Sequence, residues 1–161
     1  MVFKTIFRTS ILKTLLVLVT LSVFSLSISA GTQSFTTLSG ESVSYSELTS
    51  SPKTILFVWA TWCPYCRTEI DELVKARPNL DGIKIYFVNT GEPKSKVKKF
   101  INSKKNYSGI DSQVILDEDS YIAQKFSVAG IPTYLFLKDS DLAKRSFFYN
   151  DDIVKQAFGS N

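Results

Sequence analysis

Apolar and polar positions follow two different periods along this chain, and the changes between them outline its elements. Residues 35–48, FTTLSGESVSYSEL, alternate around Ser39-Gly40 and predict a short hairpin. After the turn Ser50-Ser51-Pro52, residues 54–60, TILFVWA, form an unbroken apolar run rich in β-formers. Such a run suits a central strand buried on both faces. A helical segment follows to about Ala76, with Ile70, Leu73 and Val74 on its apolar face and Arg77-Pro78 as its stop. Residues 83–89, IKIYFVN, predict a second strand, and Pro93 opens a helix over 94–103 that turns Val97, Phe100 and Ile101 inward. Val114-Ile115-Leu116 is a third strand. Asp117 to Ser120 start a short helix through Phe126, with acids at its favourable end. Gly130-Ile131-Pro132 precedes a fourth strand over 133–137, and 143–149 is a fifth. Asp151-Asp152 cap a last helix to Phe158. Strands alternate with helices and finish strand–turn–strand–helix, which predicts an α/β domain with a mixed sheet.

The first 30 residues break this pattern. They hold Lys4, Arg8 and Lys13 with no acid, then an apolar or hydroxylic run from Thr14 to Ala30. A basic start, an apolar run and small residues at Ser29-Ala30-Gly31 predict an export signal. Ile28 fits the small-residue preference of a cleavage site poorly, and Ile11 to Ala30 is long enough to span a bilayer. Cleaved signal peptide and retained membrane anchor both stand as readings. Either one places residues 31–161 outside the cytoplasm, where cysteine pairs can be oxidised.

Charge then changes meaning. The chain is formally +4, with 19 basic and 15 acidic residues. Three of those basic groups lie in residues 1–30, which leaves 16 against 15 in the rest. Nucleic-acid binding thereby loses its electrostatic support. Lys94, Lys96, Lys98, Lys99, Lys104 and Lys105 form one acid-free stretch, read as a solvated helix face or as a dock for an acidic partner or anionic lipid.

Composition also removes chemistry. The 161 residues suffice for one ordinary domain and include two cysteines and no histidine. No Ser-His-Asp or Cys-His nucleophile system is available, and two thiols cannot close a four-thiolate metal site. What remains is Cys63-Pro64-Tyr65-Cys66, at a strand-to-helix junction. A cysteine there sits among unpaired backbone N–H groups at the positive end of the helix dipole, which favours the reactive thiolate. Pro64 falls at the first helical position, where a missing donor costs nothing. Cys66, one turn in, can reach Cys63 yet is more shielded. Cys63 is therefore expected to attack and Cys66 to resolve the mixed disulfide. A purely structural disulfide would close too small a loop to stabilise much.

The segment FVWATWCPYCRTEIDEL, residues 57–73, resembles the active-site segment of thioredoxin-like proteins, and within them the exported TlpA/ResA-type thiol-disulfide oxidoreductases. Gly130-Ile131-Pro132-Thr133 is similar to that family's second signature, and the 35–48 hairpin resembles this subgroup more than plain thioredoxin. The resemblance covers nearly all of 34–158. It implies a thioredoxin fold with an N-terminal β-hairpin extension. It also implies a cis Pro132 against the disulfide and an Ile131 backbone free to pair with an extended client. Trp62, Pro64, Tyr65, Ile131 and Pro132 are the expected client contacts, with Trp59 packed at the edge of the core.

Several positions depart from the family pattern. Phe57 stands where thioredoxins carry a buried Asp, and Asp71 where the subgroup often has a helix-kinking proline. The late glycine before the last helix is missing, with Asn150 the expected substitute through positive φ. Glu69, three residues after Cys66, has two readings. It is an acid near the thiols that tunes and relays their protons, as the resemblance implies, or a solvated first-turn acid. The family resemblance implies no cofactor beyond the Cys63–Cys66 disulfide. It implies client proteins with disulfides or thiols, a membrane thiol-electron donor, and a place in the periplasm or on the outer face of the inner membrane. Reduction of client disulfides is the expected direction. Disulfide donation and a non-catalytic client-binding module remain alternatives, and peroxide reduction is weaker because WCPYC is not a Thr-x-x-Cys site.

Overall fold

The computed structural model describes residues 33–159. The export segment read over residues 1–30 lies outside these. Among the described residues, no helix is long and apolar enough to cross a membrane.

Seven strands form one mixed sheet: β1 (Ser34–Thr37), β2 (Ser42–Ser44), β3 (Lys53–Trp59), β4 (Lys84–Thr90), β5 (Val114–Asp117), β6 (Thr133–Lys138) and β7 (Asp141–Ser146). Their order is β2-β1-β5-β4-β3-β6-β7. The inner strands β5, β4 and β3 run parallel, while β1 and β6 pair antiparallel to β5 and β3. The hairpin β1–β2 and the hairpin β6–β7 thus extend the parallel centre on opposite edges. Among the described residues, five α-helices accompany the sheet: α1 (Tyr45–Thr49), α2 (Pro64–Ala76), α3 (Lys94–Asn102), α4 (Tyr121–Lys125) and α5 (Asp151–Phe158). This is the thioredoxin fold that the resemblance implies, built on the mixed α/β sheet that the sequence pattern predicts.

The apolar run of β3 explains its central place. Side chains alternate across a strand. Ile55, Phe57 and Trp59 enter one core with Ile70 and Leu73 of α2, Val97 of α3 and Phe158 of α5. Leu56 and Val58 enter the other, with Val88, Ile115, Leu135 and Ile122 of α4. Every β3 residue after Lys53 is buried. The sheet is therefore covered on both faces, and its inner strands need no polar side.

The structure corrects four local readings. The second half of the hairpin stops at Ser44. Its hydroxyl accepts from the Glu47 amide while the Glu47 carboxylate accepts from the Ser44 amide, a reciprocal cap that starts α1 in place of a strand. The helix read from Asp117 starts only at Tyr121. Asp117 closes β5 instead, and its buried carboxylate accepts from the Tyr121 and Ile122 amides. The fifth strand covers 141–146, so Phe147 to Tyr149 form a turn. Asn150, expected at positive φ, is extended at φ −158°. It caps α5 itself by accepting from the Ile153 amide, while Asp151 and Asp152 occupy the first turn.

Candidate active site

The end of β3 delivers the cysteines. Cys63 is extended at φ −82°, ψ 112° and forms the N-cap of α2, with Pro64 in the first turn. Its sulfur accepts from the Cys66 amide at 3.1 Å, one of the amides a helix leaves without an internal partner. Cys63 and Cys66 are joined as a disulfide. Both are buried, and only Cys63 keeps any exposure. The Ile131–Pro132 peptide bond is cis, the geometry the resemblance implies. Cys63 Sγ lies 3.8 Å from the Ile131 carbonyl oxygen. The two signatures, 67 residues apart in sequence, thus meet at the sulfur.

Trp62 and Tyr65 are the outward faces of this joint, at 62% and 78% exposure, and Pro64 is also exposed. Ile131 is half-buried and Pro132 buried. Trp59, read as an edge residue, is fully buried against the Phe100 ring. Phe57, in place of the acid of thioredoxins, is fully buried among aromatic neighbours, edge-on to Phe87 and 4.6 Å from the Tyr134 ring. No proton acceptor stands at that position.

Glu69 takes a place that neither sequence reading describes. It is half-buried, and its Oε2 accepts from the Tyr134 hydroxyl and from the Tyr149 amide, each at 2.9 Å. Both bonds to its carboxylate run to β6 and to the turn after β7, not to a sulfur. Burial, then the nearby Glu69 charge, pushes the Tyr134 hydroxyl far above the ordinary tyrosine range, so it remains a donor to Glu69.

A second carboxylate escaped sequence reasoning. β3 and β4 are parallel with Trp59 opposite Asn89, so the segments leaving both strands are neighbours at the carboxyl ends of the sheet. Glu92, 4% exposed, lies in the loop after β4. Its Oε2 accepts from the Thr61 amide at 2.6 Å and Asn89 Nδ2 at 2.9 Å. Its Oε1 accepts from the Thr61 hydroxyl at 2.8 Å and pairs with Lys96 Nζ at 2.7 Å. Burial raises the Glu92 carboxyl, but the bonds from Lys96, Thr61 and Asn89 outweigh it and hold the group below the usual glutamate value. Arg67 donates to the Thr61 carbonyl at 3.2 Å. Thr61 is therefore held at its amide, hydroxyl and carbonyl, two residues ahead of Cys63. A sequence signal did exist: Glu92 is the only acid in residues 82–110.

Among the described residues, no group of three or more acids and cysteines is arranged to hold a metal ion. The site presents a cystine, uncharged aromatic and aliphatic surface, and two carboxylates that bind the protein itself. It can perform thiol–disulfide exchange at Cys63.

The chain is similar to known proteins. The chain is 27% identical to the thiol-disulfide oxidoreductase ResA of Geobacillus thermodenitrificans over 89 residues, which are 54% of this chain and 49% of that protein. It is 33% identical to the thiol:disulfide interchange protein DsbE of Yersinia pestis over 78 residues, 48% of this chain and 39% of that one. The chain spans about half the length or less of the curated relatives it matches first. The crystal structure of StoA from Bacillus subtilis superposes with a TM-score of 0.63 at 23% identity, over 77% of this chain and 93% of that one, which shows the shared fold. A sequence model of the AhpC/TSA family matches residues 26–155, four-fifths of the chain, and the protein belongs to that family.

Proposed function

We propose that this protein is an extracytoplasmic thiol-disulfide oxidoreductase that reduces disulfides in client proteins. The observation that carries the reading is the Cys63–Cys66 disulfide at the N-terminus of α2, with Cys63 Sγ against the cis Ile131–Pro132 loop. Likeness to the ResA and DsbE proteins supports it, as does the basic and apolar segment 1–30.

In the reduced protein, the α2 amides stabilise a Cys63 thiolate. That thiolate attacks one sulfur of the client disulfide. A Cys63–client bond forms, and the other client sulfur leaves as a thiolate. Cys66 then attacks Cys63 Sγ, which restores the Cys63–Cys66 disulfide and frees the second client thiol. Two electrons have passed from protein to client, and a membrane thiol donor returns them. The client segment lies along the Ile131 backbone, with Trp62, Pro64, Tyr65 and Pro132 around the reacting sulfurs. Buried Phe57 offers no proton acceptor, so proton transfer falls to solvent and to the departing thiolates.

Direction is read from the redox state in living cells. Acid quenching followed by thiol alkylation should find Cys63 and Cys66 mainly reduced, and mainly oxidised once membrane thiol donors are removed. A pool that stays oxidised in untreated cells would assign the protein to disulfide donation. A Cys63/Cys66 pair that never exchanges would leave a binding module.

A further inference from the structure

Three uncharged segments lie at the end of the sheet that carries the cystine: residues 62–66 (WCPYC), 130–134 (GIPTY) and 146–149 (SFFY). The third lies just ahead of Asn150, the N-cap of α5. Its position follows from the sheet. β7 runs antiparallel to β6 with Ser146 opposite Tyr134, so the chain beyond Ser146 continues toward the level of Pro132. It is also tied to the cystine-bearing helix, because the Tyr149 amide donates to Glu69 of α2. Ser146 fixes the turn from inside: its hydroxyl donates to the Phe148 carbonyl at 2.8 Å and accepts from the Phe148 amide at 3.3 Å. A turn held this firmly nevertheless exposes Phe147 at 58% and Phe148 at 54%.

Five large apolar side chains are exposed among the described residues, and four of them, Trp62, Tyr65, Phe147 and Phe148, stand at this end of the sheet. The fifth, Leu142, pairs with Leu137 at the other end of β7. Such clustering marks an interaction surface, since scattered exposed residues need no explanation but grouped ones do.

We infer that Phe147 and Phe148 extend the client site into an aromatic shelf that selects extended, apolar cysteine-bearing segments of incompletely folded proteins. This rests on the oxidoreductase reading above. The occupant follows from the sulfur. Cys63 is almost fully buried with the Ile131 carbonyl 3.8 Å from its sulfur, so the residues flanking a client sulfur that reaches it must run out over the surrounding surface. Cys63 and Glu69 are six residues apart on α2, about 9 Å along the axis. An extended client covers that in about three residues. Apolar side chains two to four residues from the client cysteine therefore fall on the shelf. No charged residue in the three segments offers a partner for an acidic or basic client.

The test uses the chain as isolated from expressing cells, reduced beforehand, and two peptides that each form a symmetric disulfide. One carries phenylalanine two and four residues from its cysteine; the other carries serine there. Reduced protein plus peptide disulfide gives the Cys63–Cys66 disulfide and two peptide thiols. The apolar peptide should react about tenfold faster, the scale of burying one aromatic side chain. The double substitution Phe147→Ser with Phe148→Ser should bring that rate ratio to within twofold of one. Phe147→Tyr with Phe148→Tyr should keep it, and so should Leu142→Ser. A wild-type ratio near one, or a ratio that survives the serine pair, overturns the shelf while leaving the exchange chemistry intact. A wild-type protein that reduces neither peptide overturns the oxidoreductase reading and the shelf together.

Discussion

Glu92 and Glu69 both anchor the surroundings of the cystine, from different sides and by different physics. Glu92 is almost completely buried and receives bonds from Thr61, Asn89 and Lys96, which fix the backbone entering the Cys63 turn. Glu69 is half-buried and receives two, from Tyr134 and from the Tyr149 amide, which fix the opposing turn. A carboxylate taken out of water is stable only if donors replace its hydration. Glu92 meets that condition with protein donors alone, and its carboxyl is more acidic than usual as a result. One acid therefore sets where the cystine stands, and the other sets what faces it.

The harshest way to break this contrast is Glu92→Ala. It strands the Thr61 amide and the Asn89 side chain, and should cost about 3 kcal/mol. The readout is the urea midpoint at unchanged slope. A loss below about 1 kcal/mol would mean the cluster holds nothing. Glu92→Gln keeps the volume and one acceptor, so a loss of about 1–2 kcal/mol is expected. It also carries a pH signature. The folded Glu92 carboxyl lies below its unfolded value, so its stabilisation is complete above the ordinary glutamate range and fades as pH falls through the depressed folded value. The wild-type protein should lose stability along that acid limb, and Glu92→Gln should flatten it. Asp117 acts with the opposite sign: burial raises its folded carboxyl, so its share of stability rises on acidification.

Glu69→Ala should cost less, about 1 kcal/mol, because the buried Tyr134 hydroxyl keeps the Glu69 backbone carbonyl as an acceptor at 3.2 Å. Its larger effect should fall on client preference, with the rate ratio for apolar over polar peptide disulfides reduced as the Phe147–Phe148 turn loosens. Glu69→Ala matching Glu92→Ala in stability would erase the distinction. The smallest effect is expected from Lys96→Ala, about 0.5 kcal/mol in the same titration, since Lys96 is half-exposed and Glu92 retains three other donors.

The sequence made some of this legible and hid the rest for physical reasons. The β3 run announced burial on both faces because nothing polar interrupts residues 55–60, and Pro64 after Cys63 announced the helix start. Both are local signals. Ser44 and Glu47 also carried a local signal, the reciprocal cap, but the alternation through residue 45 masked it. Glu92 could not be placed from spacing, since its main partner Thr61 lies 31 residues away and meets it only through the parallel pairing of β3 and β4. Glu69 was placed on the right helix, but its bonding partners could not be read, because Tyr134 and Tyr149 are 65 and 80 residues distant. Phe147 and Phe148 were read as strand, and only the end of β7 at Ser146 turns them outward.

In the proposed reaction Cys63 is the sulfur that meets the client and Cys66 the one that releases it. Trapping decides this most directly. A Cys66→Ser protein, reduced and mixed with an unfolded disulfide-bonded protein, should accumulate a mixed disulfide through Cys63 that dithiothreitol dissolves, while Cys63→Ser should accumulate none. Equal trapping by both variants, or trapping only through Cys66, would contradict the account.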